Sequence, residues 1–413
     1  MKAATLAACL FPLAASAAEP PDFLPLFNGR DLAGWSGDGY QVEDGAIVCG
    51  PQGGHLVSAR TFADYRLDFE FRLPPGGNNG IGIHYPGHGD AAFTGVEVQL
   101  LDDSAEKHRG LKPEQFHGSL YALAAPARKA PLKPPGEWNR QSIAVRGDAV
   151  EVRVNDALVT RARLAELQAK FPAHAGLPRR SGHLAFCGHG DPVAFREIRI
   201  AEFPPAANEE AVRQAGFTRI FDGRSLAGWQ LAAGSTNWTA HNGILRHDGK
   251  PGPTRDLWTG KEYGDFTLVF DWRWAAPGPR MMRPIIGPDG RETGTRVEVE
   301  ELDSGIYLRG SSKAQVNLWN WPVGSGEVYG YRSDPAQAAE VIAAATPRIR
   351  ADQPTGEWNR MMITLRGEKL DVTLNGRTVI DGARLPAVPA RGRIALQHHG
   401  SAIDFANLWI KEL

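Results

Sequence analysis

The sequence is poor in cysteine (3 in 413 residues) and in methionine (5), and its formal net charge is only −1. Without a basic excess there is nothing to drive counterion release, so a nucleic-acid or other polyanionic partner is not expected. The two cysteines beyond the N-terminal segment, Cys49 and Cys187, form no CxxC pair, which argues against structural zinc. Whether they pair in an oxidising compartment is not fixed by their spacing. No HxH, HExxH or DxDxDG string occurs, and the neighbours His398 and His399 would point to opposite faces of a strand. Past the N-terminus no apolar run is long enough for a transmembrane segment.

Glycine (47), proline (30) and tryptophan (11) are plentiful. Many turns and few long helical stretches suit an all-β chain, and tryptophan suits both cores and the apolar faces of sugars. The opening residues, MKAATLAACLFPLAASAAEP, combine Lys2, a short apolar run and small residues at a cleavage position. That pattern predicts a signal peptide over 1–18 and a periplasmic or secreted protein. Leu6-Ala7-Ala8-Cys9 resembles a lipobox, but too few residues precede it for a normal apolar region.

The rest of the chain repeats itself. FNGRDLAGW (27–35) returns as FDGRSLAGW (221–229), and GEWNRQSIAVRGDAVEVRVND (136–156) as GEWNRMMITLRGEKLDVTLNG (356–376). HLAFCGHGDPVAFREIRIAEF (183–203) returns as RIALQHHGSAIDFANLWIKEL (393–413). One domain over 19–203, a linker over 204–216 and a second domain over 217–413 follow from this order. An insertion is expected near 279–303 of the second copy, and a longer loop near 165–180 of the first.

Alternation with period two dominates both copies, as in YRLDFEFRL (65–73) and FTLVFDWRW (266–274). Such runs, bounded by Gly, Pro, Asn and Asp, mark half-buried antiparallel strands. Asn375-Gly376 predicts a tight hairpin, since both residues tolerate positive φ. Helix is expected only in short pieces, over 161–170 and 336–345. Many short strands with regular turns argue for a sandwich or jelly roll in each copy.

In the first copy GNNGIGIHYPGHGDAAFTGVEVQLLDD (77–103), FHGSLYALAAP (116–126), LKPPGEWN (132–139) and SGHLAFCGHGDPVAFREIRI (181–200) resemble, in order, the 3-keto-disaccharide hydrolase family. DSGIYLRGSSKAQVNLWNWPVGSGEVYGYR (303–332), followed by the GEWN and HHG blocks, resembles another branch of it. The resemblance implies two tandem concanavalin-like jelly-roll β-sandwich domains and a carbohydrate substrate, a glycoside oxidised at C3 of a sugar ring. Fold alone does not license that activity.

A 3-keto group acidifies the C2 proton, so the chemistry needs a base near C2, donors for the enolate oxygen and an acid for the leaving oxygen. On the strand GVEVQLL, Val96, Val98 and Leu100 form the core side, which turns Glu97 and Gln99 to the other face. Glu97 or His117 is the expected base, with His189 and Asp102 completing a catalytic set. Gln99, Tyr121, Lys133, Arg196, Asn79 and His84 are expected to bind substrate. By register Glu97 answers to Gln315, Gln99 to Asn317, Asp102 to Asn320, His84 to Arg309, His117 to Ser325, Tyr121 to Tyr329 and His189 to His399. The second copy therefore loses the first copy's carboxylates, and Arg309, Gln315, Asn317, Trp319, Glu327, Tyr329 and His399 become its candidate sugar contacts. No cofactor is required in principle, although a divalent metal would serve as oxyanion stabiliser and a structural calcium would suit a jelly roll.

Two other functions stay open. Tandem lectin-like sandwiches often only bind sugar, for which aromatics and amides suffice. A family 16-type glycosidase would carry ExDxxE on one strand, and GVEVQLLDD has a single acid within the strand.

Overall fold

The computed structural model describes residues 22–250 and 256–413, and the expected signal peptide lies outside them. Each half is a two-layer antiparallel sandwich. In the first, one sheet runs Ala157–Arg163, Ala149–Val154, Trp138–Arg146, Tyr65–Arg72, Ala194–Glu202, Ala46–Cys49 and Tyr40–Glu43, with Leu24–Pro25 paired beside Ala194–Glu202. The other runs Trp35–Ser36, His55–Phe62, Gly182–Cys187, Asn78–Tyr85 and Val96–Leu101. The second half repeats both sheets strand for strand, its five-stranded sheet running Trp229–Gln230, Leu257–Tyr263, Gly392–Leu396, Asp303–Leu308 and Ser311–Trp319. The fold is thus all-β, two concanavalin-like jelly rolls in tandem.

Alternation explains the layers. Leu67, Phe69 and Phe71 from one sheet meet Ile81, Val98 and Phe186 from the other, all at 2% exposure or less. Burying each such side chain stabilises the fold by about 1.5–3 kcal/mol. Two tryptophans shared by the copies do the same structural job: Trp35 and Trp229 donate their indole N–H to Leu26 O and Ile220 O, both at 2.8 Å.

The Asn375-Gly376 hairpin forms as expected, with φ of 51° and 77°. The first helix is shorter than expected, Leu164–Lys170, because Arg161 to Arg163 close the strand Ala157–Arg163. The other expected helix is Ala339–Ala344, and Glu209–Gln214, in the linker region, is helical as well, capped by Asn208. The insertion of the second copy is a two-stranded ribbon, Arg280–Ile286 with Glu292–Glu300.

A buried charge cluster joins the halves. Glu202, at the end of the first half's last strand, is 4% exposed and paired with Arg273 and Arg246 of the second half and with Arg60 of its own. Asp404 completes the set, accepting from Arg246 at 2.6 Å and from Arg273 at 2.9 Å. Burial alone would raise the Glu202 carboxyl, but the three guanidinium groups outweigh it and hold the carboxyl well below its usual range.

Removing one partner of such a cluster strands the others in a dry site. Glu202→Gln is expected to destabilise the chain by about 3 kcal/mol at pH 7 in chemical denaturation. Because the folded carboxyl titrates below the unfolded one, this contribution is complete above the unfolded value of about 4.3 and vanishes as pH falls through the folded value. The gap between variant and parent should therefore close on acidification, and a gap independent of pH would show that Glu202 contributes through packing instead.

Candidate functional site

One face of each five-stranded sheet is committed to the core, which leaves the alternate residues on an open face. In the first half Leu56, Ile81, Ile83, Val96, Val98 and Phe186 face inward. Glu97 and Gln99 therefore face outward, as the sequence predicts, together with Asn78, Gly80 and Gly82 from the neighbouring strand and Ala185 and Cys187 from the next. His55 lies opposite Cys187 and joins the same face.

Gly80 makes room for the acid. A Cβ there would stand 1.7 Å from Glu97 Oε1, so the carboxylate lies across the glycine backbone. The side chain is 6% exposed, and its Oε1 has no hydrogen-bond partner among the described residues. Burial, and to a smaller degree the nearby Asp90, pushes the Glu97 carboxyl up to about 8. Beside it a short helix, Ala91–Thr94, N-capped by Asp90, is laid on the sheet, and its Ala91 would meet a Cβ at Gly82, the pairing partner of Glu97, at 3.1 Å. The longer loop of the first copy backs this helix, with His174 Nε2 2.9 Å from Ala92 O. His55 lies at the rim against the Tyr85 ring, 5.2 Å between centroids, and partial burial lowers its pKa below the usual imidazole value. His189 is exposed beyond the end of Gly182–Cys187, close enough to act electrostatically on His55.

Several expected site residues lie elsewhere. His117 is fully buried, stacked on Phe71, with Nδ1 accepting from Leu101 N at 3.0 Å and Nε2 3.1 Å from Gln141 Oε1. Burial pushes its pKa down to about 4, so it is a neutral core group and not the base. Asp102 ties a turn, accepting from Gly76 N at 2.8 Å and Ser104 Oγ at 2.5 Å, and these bonds outweigh burial and lower its pKa. Asn79 faces the core at 0% exposure, and His84 is buried on a positive-φ residue with its pKa lowered to about 4 by burial. Arg196 belongs to the eight-stranded sheet, bonded to Glu70 at 2.8 Å and stacked 4.1 Å from Trp138. Lys133 donates to Trp138 O and also lies off the open face. Tyr121 borders the strand of Glu97, its N–H donating to Glu97 O at 2.9 Å and its hydroxyl accepting from Gln115 at 3.3 Å.

In the second half strand pairing gives the correspondences directly. Gly80 pairs with Gln99 and Gly305 with Asn317, while Gly82 pairs with Glu97 and Tyr307 with Gln315. Leu101 N donates to His117 where Trp319 N donates to Ser325 Oγ. Gln315 lies over Gly305 and donates to Gln397 Oε1 at 2.7 Å, with Asn317 beside it and His399 at the rim. Trp319 ends the strand, 2% exposed, donating to Gly324 O and stacked 4.2 Å from Trp321. Tyr329, 45% exposed, packs edge-on to Trp319 outside the open face.

Two candidates of this half are structural. Arg309 is 2% exposed and donates to Gly264 O, Gly367 O, Pro389 O and Asp265, pinning loops below the sheet. Glu327 is fully buried and paired with Arg332.

The carboxylates have moved, not vanished. His55 corresponds to Asp256, which lies opposite Gln397 as His55 lies opposite Cys187. Asn78, opposite Leu101, corresponds to Asp303, opposite Trp319. These positions escaped the sequence comparison because the strands that hold them share no string between copies. Counting alternation outward from Leu56 and Leu257 would have found them. Among the described residues no group of three or more His, Cys, Asp or Glu side chains is arranged to hold a metal ion.

Residues 22–201 and 216–411 each match the family described as 3-keto-alpha-glucoside-1,2-lyase-like domain. A 3-keto-disaccharide hydrolase of Bacteroides thetaiotaomicron is 28% identical over 225 residues, covering 43% of this chain and 77% of the relative. Among solved structures, a putative glycosyl hydrolase from Parabacteroides distasonis is 26% identical, covering 44% of this chain and 94% of its own, with a TM-score of 0.39. A carbohydrate binding module from Bacillus subtilis is 15% identical, covering 45% and 96%, with a TM-score of 0.27.

The desolvated Glu97 has a thermodynamic signature. Its folded carboxyl keeps a proton that the unfolded chain loses near pH 4.3, so stability should fall as pH rises from there to about 8. Glu97→Gln should remove that slope, leaving the variant on the order of 2–4 kcal/mol more stable than the parent at pH 8.5 and equal to it at pH 4. Parallel stability curves would show instead that Glu97 is ionised and solvated.

Proposed function

The chain belongs to the 3-keto-alpha-glucoside-1,2-lyase-like family through both of its halves, and from that membership we propose that it cleaves 3-keto-glycosides at the open face of the first half. The observation that carries the reading is Glu97, a desolvated carboxyl with an unpartnered oxygen on the same open face as His55.

In a 3-keto-glycoside, loss of the C2 proton leaves an electron pair delocalised onto the C3 oxygen. As that pair forms the C1–C2 double bond, the C1–O bond breaks and the leaving oxygen takes up one proton. One proton moves from carbon to oxygen, and no oxidant or water is consumed. Adding water across the new double bond then completes a net hydrolysis.

The first half's groups divide these tasks by protonation state. Near pH 7 Glu97, raised to about 8, holds its proton and suits donation to the leaving oxygen. His55, whose pKa is lowered by burial, is neutral and suits removal of the C2 proton. Asn78 and Gln99, bonded to one another at 3.3 Å, supply amide donors for the sugar hydroxyls or the enolate oxygen. The N-terminal segment, read as a signal peptide, supports a site of action in the periplasm or outside the cell.

Glu97→Gln keeps the shape and removes the proton donor, so it should lower kcat on a 3-keto-glucoside by about 10²-fold, with a similar loss for His55→Ala. The rate should also lose its decline above about pH 8 in Glu97→Gln, because no carboxyl remains to ionise. Full activity in both variants, measured as release of the C1 substituent, would overturn the assignment. Turnover of the unoxidised parent glucoside alone would restore an ordinary glycosidase.

A further inference from the structure

The open face of the second half carries acids at positions where the first has none. Asp303 is on the strand Asp303–Leu308, and Asp256 lies just before Leu257–Tyr263, across the intervening strand Gly392–Leu396. Gln315, on the edge strand Ser311–Trp319, reaches over Gly305 to Gln397, which follows the intervening strand. Tyr307 occupies the place of Gly82, and its ring lies 5.8 Å from that of Trp258, both half-buried. The connection between Asp303–Leu308 and Ser311–Trp319 is the tight turn Arg309-Gly310, so the helix that covers Glu97 in the first half has no counterpart here.

We propose that this face is a second, independent acid–base site for a neutral sugar ring, with Asp303 and His399 as its proton carriers and Trp258 and Tyr307 as its apolar platform. The proposal rests on the family reading for its chemistry, but on its own residues for its existence.

His399 Nδ1 lies 3.4 Å from Asp303 Oδ2, at the exposed rim of the face. Burial raises the Asp303 carboxyl to about 6; His399 opposes the rise, Glu301 adds to it and Arg283 opposes it. Arg283 is itself held by Glu301 through two bonds of 2.6 Å, which leaves Asp303 and His399 as the pair facing the groove. Asn317 supplies an independent sign of a ligand. Its side chain shares the face with Gln315, is 3% exposed, and its Oδ1 has no partner among the described residues. An acceptor buried without a donor costs stability, and a sugar hydroxyl would satisfy it. Aromatic rings beside amides suit the alternating apolar and hydroxyl surfaces of an uncharged pyranose.

On a 3-keto ring this pair performs the same balanced step as the first half: the Asp303 carboxylate takes the C2 proton as the C1–O bond breaks, the cationic form of His399 gives its proton to the departing oxygen, and transfer of a proton from Asp303 to His399 resets the pair. The aspartate and histidine together end in the protonation state in which they began.

The test compares Glu97→Gln, Asp303→Asn and the double variant of the full chain on a 3-keto-glucoside. Glu97→Gln should leave a residual rate with an acid limb near pH 6, and adding Asp303→Asn should lower that rate at least ten-fold and erase the limb. A residual rate indifferent to both Asp303→Asn and His399→Ala overturns the second site while leaving the first reading intact. If the parent chain releases nothing from the keto-sugar, the family-based reading fails, and the second site is judged by binding of methyl glucoside, followed by titration calorimetry. Tyr307→Ala and Asn317→Ala should then each weaken binding at least ten-fold without lowering the melting temperature, and undiminished binding in both overturns the site.

Discussion

Everything chemical in this chain depends on the two-residue period of its five-stranded sheets. Once Leu56, Ile81, Val98 and Phe186 are fixed against the eight-stranded layer, their neighbours in sequence have no choice but the opposite face. A slip of one residue would bury Glu97 in the core and expose Val96 and Val98, at a cost of several kcal/mol for the apolar groups alone. The core therefore fixes which positions can carry chemistry, without fixing what they carry. Gly80 and Gly305 show how tight the constraint is, since in both halves the side chain of the edge strand lies where a Cβ would otherwise stand.

The same principle accounts for what was legible in the sequence and what was not. The repeat, the strands and the outward turn of Glu97 and Gln99 all follow from alternation within single segments. His117 and Arg309 did not follow. Each stands in a motif-rich segment and carries a group suited to catalysis, yet His117 is absorbed by Leu101 and Gln141 and Arg309 by backbone carbonyls. Whether a polar side chain ends in a groove or in a hydrogen-bonded core position depends on partners brought by distant strands, which no local pattern records. Asp256 and Asp303 were missed for the converse reason: their place on the open face comes from strand pairing, which no string shared between the copies records.

The shared backbone makes these exchanges affordable. His84 and Arg309 sit at equivalent bulged positions with φ of 51° and 48°, each packed against a glycine, Gly182 or Gly392. One copy fills the space below with a neutral imidazole and the other with a guanidinium that satisfies loop carbonyls. The strands above and below keep their register in both cases, so the backbone accepts either side chain at this position.

Cover and neighbouring charge together separate the two open faces. Glu97 and Asp303 are both carboxyls beside another acid, Asp90 in one case and Glu301 in the other, and for both the largest effect is loss of water. Glu97 lies beneath the helix Ala91–Thr94 and faces no cation, so nothing opposes the rise to about 8. Asp303 has His399 and Arg283 within reach, and its rise stops near 6. Trimming the first half's connection to the two-residue turn of the second would rehydrate Glu97 and bring its carboxyl back toward the ordinary range. The connection that follows Asn78–Tyr85 in the first half, and the cations beside Asp303 in the second, thus set the proton affinity of each face.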